Sequence, residues 1–348
     1  MDSGMIRGTG MGTSSTARQG SRPVIGLALG SGAARGWAHV GVLRALEEIG
    51  VRPDIVCGTS VGALVGAAWL TDQLDELQAW VGGMGVLGVL KLVDLTLARG
   101  GLVAIEKVFE RFRNPRTDLR IETLPVPFAA VATDLATGRE VWLRDGHLLD
   151  VVRASAAMPG LFPPVQHEGR WLVDGALVNP VPVSLCRALG AEVVIAVNLN
   201  SDLSALPRLA RGPADAAALA GQGPAVRVRP ADATPPDTVT AAHPLAEFLG
   251  KIGAGIGERT RQLAAQLKGE REPSPSMLET MAGSIDIMQD RITRSRLAGD
   301  PPEVLIAPRI GQIGILDFDR GEELMRIGHA TAMALRPAIE QATEKLPG

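Results

Sequence analysis

A chain of 348 residues with 46% hydrophobic content can bury one large α/β core or two smaller ones, which excludes disorder of the whole. A net charge of −3, an aromatic content of 3% and the absence of tyrosine leave neither a basic face nor a stacking surface for nucleic acid. Two cysteines, Cys57 and Cys186, fall in apolar runs and read as core residues of a reducing, cytoplasmic compartment, while five scattered histidines lack metal-site spacing.

Residues 1–23 are rich in Gly, Ser and Thr, lack an apolar h-region, and read as a flexible tail, not a signal peptide. Residues 24–29 form an apolar first strand that leads into Gly30-Ser31-Gly32-Ala33-Ala34-Arg35-Gly36. A helix follows, with Val40, Leu43, Leu46 and Ile49 at helical spacing and Gly50 closing it. Residues 54–57 form a second short strand and residues 63–69 a second helix. This order implies parallel strands joined by a right-handed crossover.

Residues 80–101 are apolar but heavy in glycine, and read either as a mobile flap or as a loosely packed core segment. Further strands are expected at residues 128–133, 140–143, 171–173, 193–197 and 304–307. Further helices are expected at 148–157, 183–189, 277–297 and 322–342, the last kinked at Pro337. The 277–297 helix carries Met277, Met281, Ile285, Met288 and Ile292 on one face, which suits packing on a core or docking on a membrane, and Arg291, Arg294 and Arg296 near its end.

Alternation of strands and helices predicts a three-layer α/β/α fold around a mostly parallel sheet. Its core spans residues 24–200, an Ala/Pro-rich irregular insertion spans 201–245, and residues 246–348 complete the same domain. No run reaches the ~18 apolar residues of a membrane span, so contact with a membrane would be peripheral.

The chemistry concentrates in three loops. Gly58-Thr59-Ser60-Val61-Gly62 stands where a buried strand turns into a helix, the setting that displays a nucleophilic serine. The same G-x-S-x-G pattern also fits an ordinary turn with a capping serine. A nucleophile needs an oxyanion hole, and the glycine-rich turn after the first strand offers N–H groups at a helix N-terminus, with Gly32, Ala33 and Ala34 as donors. A dinucleotide-binding reading of that turn fails, because Arg35 stands where the third glycine belongs.

The base is read at Asp174, after the 171–173 strand and before Gly175 and Ala176, on the rim where α/β sheets gather their loops. A turn-forming Asp-Gly pair is the alternative. His39, His167 and His329 do not occupy the position that the order Ser, Asp, His demands, so a two-residue Ser60–Asp174 site is preferred. An ordinary aspartate, with pKa about 3.9, is a weak base, so burial has to raise it or proton transfer has to accompany attack.

Together, the turn from Gly30 to Gly36, the elbow from Gly58 to Gly62, and Asp174-Gly175-Ala176 resemble the three signatures of the bacterial patatin-like phospholipase family, in order and at similar spacing. Arg153-Ala154-Ser155-Ala156-Ala157-Met158-Pro159-Gly160-Leu161-Phe162-Pro163-Pro164 also resembles its segment between nucleophile and aspartate. The resemblance covers about residues 24–198. It implies ester hydrolysis on lipids through a Ser–Asp dyad, an α/β/α fold distinct from the α/β-hydrolases, and no cofactor. By position it makes Ser60 the nucleophile, Asp174 the base, Gly32 and Ala33 the oxyanion donors with Ala34 beside them, and Arg35 the residue that orients the turn. The family commonly has glycines where this chain has Ser31-Gly32-Ala33. A thioesterase or peptidase would share the site, and a regulatory relative would hold it with little turnover.

Overall fold

In the computed structural model, residues 22–82, 109, 112–201 and 277–344 are described. Strands β1 (Ile25–Leu29), β2 (Ile55–Thr59), β3 (Phe128–Asp134), β4 (Glu140–Leu143), β5 (Val165–His167), β6 (Arg170–Asp174), β7 (Val193–Val197) and β8 (Val304–Ile306) share one sheet. Its order is β5-β6-β3-β2-β1-β7-β8, with β4 also paired to β3. The central pairs β1–β2, β1–β7, β2–β3 and β7–β8 are parallel, while β4 and β6 join β3 antiparallel, β6 beyond the end of β2 on the same edge and β4 on the other, and β5 joins β6 antiparallel.

Side chains alternate across a strand, and here both faces are apolar, so helices must cover both. Phe128, Ala130 and Ala132 of β3 and Ile195 and Val197 of β7 enter one core. The intervening Ala129, Val131, Val194 and Ala196 enter a second core on the opposite face. The first is built with α1 (Ala38–Ile49), α2 (Val61–Leu70), α3 (Leu74–Gly82) and α4 (Leu148–Ser155), the second with α5 (Val183–Ala188). Helices α6 (Met277–Gly299), α7 (Gly321–Ala334) and α8 (Arg336–Thr343) follow. Where α1 crosses α7 the backbones touch: a Cβ on Gly41 would lie 1.8 Å from Met325 O, and one on Gly328 2.1 Å from Ala38 O. Nearly all described residues belong to one compact unit, 1–207 with 282–348; of the second, 208–281, only the start of α6 is described.

Several expectations change. The 322–342 helix is two helices that break at Leu335, and Pro337 sits in the first turn of α8, where its missing N–H leaves no helical bond unmade. Strand β5 was not foreseen. Trp80–Gly82, the start of the expected flap, ends α3, and Trp80 packs edge-on against Trp37 and Phe112 with ring centroids 6.1 and 5.4 Å away. The rest of that segment and residues 202–245 of the insertion lie outside the described residues.

Helix α6 corrects the expected packing face. Ile285 and Ile292 are only half-buried and Met281 and Met288 are exposed, while Asp286, Gln289, Asp290 and Thr293 are buried. The side chain of Met277 lies outside the described residues. Both sets repeat at helical spacing, so periodicity alone could not tell which would turn inward. Among the described residues no helix is long and apolar enough to cross a membrane.

Candidate active site

Strand β2 ends at Thr59 and α2 begins at Val61, so Ser60 alone makes the turn, with φ 58° and ψ −125°. A residue with a Cβ adopts such a conformation at a cost of about 1–3 kcal/mol, and only where its surroundings hold it. They do. The Ser60 N–H donates to Ser155 Oγ at 3.0 Å, and the Ser155 hydroxyl donates to Val131 O at 2.6 Å. A Cβ at Gly58 would fall 2.4 Å from Ala63 Cα, and one at Gly62 2.1 Å from Leu29 O, so both flanking glycines are required by close backbone approach.

Asp174 ends β6, and its Oδ2 accepts a hydrogen bond from Ser60 Oγ at 2.5 Å. Its Oδ1 accepts from the Ala176 N–H at 2.8 Å, and its main-chain carbonyl accepts from Thr133 Oγ1 at 2.8 Å. Gly175 lies flat on β3, where a Cβ would meet Val131 O at 2.2 Å. Asp174 is 1% exposed and Ser60 4%, so the carboxyl has little water to stabilise its charge. Burial pushes its pKa up to about 6, against the lowering effect of the bonds from Ser60 and Ala176.

The glycine-rich turn stands beside this pair. Leu29 pairs with Gly58, and a Cβ on Gly36 would run into the Val61 side chain at 2.1 Å, so the turn rests on the first residue of α2. Most of its amides are engaged: Gly30 N–H with Val197 O at 3.1 Å, Ser31 with Pro180 O at 2.8 Å, Ala34 with Ile315 O at 3.1 Å and Arg35 with Gly32 O at 3.0 Å. The Gly32 and Ala33 amides have no partner among the described residues. Of the expected donors, Ala34 therefore has its N–H engaged, as has Arg35, whose expected part was to orient the turn. Ala33 adopts φ 46°, where alanine does what glycine does more readily.

Arg35 is fully buried, its guanidinium held by both Asp286 oxygens, Ile313 O and Asn200 Oδ1. His39, also buried, donates from Nε2 to Gly30 O at 2.7 Å, and burial pushes its pKa down to about 4, against the raising effect of that carbonyl. It is a neutral prop for the turn. His329 pairs with Glu48 and His147 with Asp118 at the surface, and His167 lies in β5. Among the described residues no histidine bonds to Ser60 or Asp174, and no three His, Cys, Asp or Glu side chains gather to hold a metal. Cys57 and Cys186 are buried free thiols.

Sequence reasoning gave no role to Ser155, Asn200, Asp286 or Gln289. Ser155 lies within the family-like segment that starts at Arg153, but a buried serine that accepts from a distant amide has no local pattern. Asp286 and Gln289 stand three apart on a helix, a spacing that a solvated polar face shares, so the pattern alone does not mark them as buried.

Residues 27–187 match the family model described as patatin-like phospholipase. An "Uncharacterized NTE family protein" of Mycobacterium tuberculosis is 33% identical over 345 residues, which covers 93% of this chain and 94% of that protein. "Patatin-like phospholipase domain-containing protein 7" of mouse is 36% identical over 191 residues, 53% of this chain and 14% of the larger protein. VipD from Legionella pneumophila aligns in structure with a TM-score of 0.40 at 13% identity, covering 91% of this chain and 67% of that one. The mycobacterial relative is matched over nearly its whole length, and the family model spans the turn, the elbow and the aspartate. This chain belongs to the patatin-like phospholipase family.

Proposed function

We propose that the protein is a serine acyl hydrolase that cleaves fatty-acyl esters of phospholipids or lysophospholipids. Membership of the family carries lipid acyl hydrolysis and a lipid substrate; the dyad, the ester class and the head group are this reading's own. The observation that carries it is the 2.5 Å bond from Ser60 Oγ to Asp174 Oδ2, with the neighbouring glycine-rich turn holding two amides, those of Gly32 and Ala33, that have no partner among the described residues.

In this mechanism Ser60 Oγ attacks the ester carbonyl while its proton passes to Asp174 Oδ2. The carbonyl oxygen gains the negative charge and is met by the N–H groups of Gly32 and Ala33; each such donor is typically worth about 10²–10³ in rate. The tetrahedral intermediate collapses, the carbon–oxygen bond to the alcohol breaks, and Asp174 returns the proton to the departing alkoxide. An acyl group is left on Ser60. Water then gives a proton to Asp174, attacks the acyl carbonyl and releases the fatty acid, and Ser60 recovers its proton. A carboxyl raised to about 6 is a better proton acceptor than a free aspartate and is still ionised at neutral pH. The buried thiols of Cys57 and Cys186 suit a reducing cytoplasm, and the enzyme would meet its lipid at a membrane surface without crossing it.

The test is a lipid profile. Phospholipid vesicles and lysophosphatidylcholine micelles incubated with wild type should release free fatty acid, and with Ser60→Ala they should not. A fluorophosphonate should label the folded wild type at Ser60. Fatty-acid release that survives Ser60→Ala would defeat the assignment, and a labelled protein that turns over thioesters or peptides but no acyl ester would redirect it.

A further inference from the structure

The N–H groups of the two amides assigned to the oxyanion make no hydrogen bond among the described residues, so the side chains around them must aim them. They are bracketed by Ser31 and Arg35, and both bracketing side chains lead to one helix. Asp286 of α6 holds Arg35 in a forked pair, Oδ1 accepting from Nη1 at 3.1 Å and Oδ2 from Nη2 at 3.0 Å, with both side chains buried. Arg35 Nε donates to Ile313 O at 2.7 Å and Nη1 to Asn200 Oδ1 at 3.2 Å. Three residues along α6, Gln289 Oε1 accepts from Ser31 Oγ at 2.9 Å and from Asn200 Nδ2 at 2.6 Å. The network is closed on itself, each member restraining the next.

A helix drawn inward by the hydrophobic effect would bury its Met and Ile face. Helix α6 does the reverse, leaving Ile287 and Met288 55% and 46% exposed while Asp286 and Gln289 are 2% and 3% exposed. Polar side chains are buried only when their hydrogen bonds are made inside, and here the partners belong to the oxyanion turn. Both residues lie beyond the segment 27–187 that matches the family model.

We propose that Asp286 and Gln289 are positioning residues, which fix Arg35 and Ser31 from consecutive turns of α6 and so aim the Gly32 and Ala33 N–H groups at the oxyanion. The inference rests on the reading of Ser60 as an acylated nucleophile. Donors of an oxyanion hole act only when held before the charge develops, and a misplacement of about 1 Å can cost about 10²-fold in rate. The substrate touches neither Asp286 nor Gln289 in this scheme, so their loss leaves ground-state binding alone.

Three variants test it: Asp286→Asn, Gln289→Met, and the double variant Arg35→Met with Asp286→Leu, which removes the ion pair without stranding a buried charge. Each is checked for fold by circular dichroism, and its competent sites are counted by fluorophosphonate labelling of Ser60. Hydrolysis of p-nitrophenyl butyrate should then show kcat per labelled site lowered about 10- to 100-fold with KM within about threefold. A trifluoromethyl ketone, whose serine adduct carries the oxyanion, should bind more weakly by the same factor as kcat/KM falls. A general packing role would not produce that proportionality. Wild-type kcat in the folded Gln289→Met and double variants would overturn the proposal, and so would a loss of kcat with unchanged ketone binding. Failure of wild type to label at Ser60 would instead overturn the hydrolase reading beneath it.

Discussion

Thr59 and Asp174 end their strands on adjacent rungs along the same edge of β3, Thr59 opposite Val131 and Asp174 opposite Ala132. Strand β4 occupies the other edge, pairing Trp142 with Val131 and Val141 with Ala132. Hence β2, parallel to β3, and β6, antiparallel to it, run towards each other and stop end to end. The residue after Thr59 is Ser60, which puts its hydroxyl within 2.5 Å of the Asp174 carboxylate. Ser60 and Asp174 are joined by main-chain register, and the sheet itself sets their distance.

The acid side of the pH–rate profile should report Asp174. Proton acceptance requires the carboxylate, so kcat/KM should fall as pH drops through about 6 and level off above it. His39, neutral down to about 4, does not contribute to that limb. The variant His39→Gln keeps a donor for Gly30 O, and its profile should bend at the same pH as wild type even if its plateau is lower. A midpoint that moves with His39 would reassign the base.

Asp174 should also make the protein less stable than it could be at alkaline pH. Its folded pKa, about 6, lies above the unfolded value of 3.8, so the folded state binds the proton more tightly. The linked stabilisation is fully present below 3.8 and is lost as pH rises through about 6. Asp174→Asn, which cannot ionise, should therefore exceed wild type at pH 8 by an amount on the order of 3 kcal/mol at most. The gap should narrow below about pH 6 and close near pH 4. Urea unfolding at pH 8, 6 and 4.5 measures it, and coincident curves at pH 8 would contradict it.

Ala33 should tolerate only one kind of change. At φ 46° glycine adopts the same backbone without strain, so Ala33→Gly should keep kcat within about threefold of wild type. A β-branched side chain resists positive φ, so Ala33→Val should shift the turn and lower kcat by about 10²-fold. Equal activities in steady-state assays of the two variants would show that the Ala33 amide is not in the reaction.

Ser155 should matter through Ser60. Ser155→Ala leaves the Ser60 N–H and Val131 O without buried partners, at about 1–3 kcal/mol for each group. A lower thermal midpoint and a kcat down about tenfold are expected, with recovery of both in Ser155→Thr, which keeps the hydroxyl.

The parallel centre of the fold was legible in the sequence because apolar runs such as residues 193–197 stand between turn residues, here Gly190 before and Asn198 after, and the structure has β7 over the same residues. The strand ends that carry Ser60 and Asp174 were legible too, each beside an obligatory glycine. The direction of β6 was not. A five-residue strand reads the same parallel or antiparallel, and only pairing to β3 decides it. The engagement of the Ala34 amide also escaped, because its acceptor, Ile315 O, is remote in sequence. The inward polar face of α6 escaped for the same reason: Arg35 and Asp286 are 251 positions apart.

The most direct test of the dyad is the turnover of Asp174→Asn at pH 8, where the variant should be at least as stable as wild type and loss of fold cannot imitate loss of chemistry. With lysophosphatidylcholine as substrate, fatty-acid release should be lower by about 10²–10⁴-fold, the usual worth of a general base. Release within about threefold of wild type would mean that the Asp174 carboxylate does not accept the Ser60 proton.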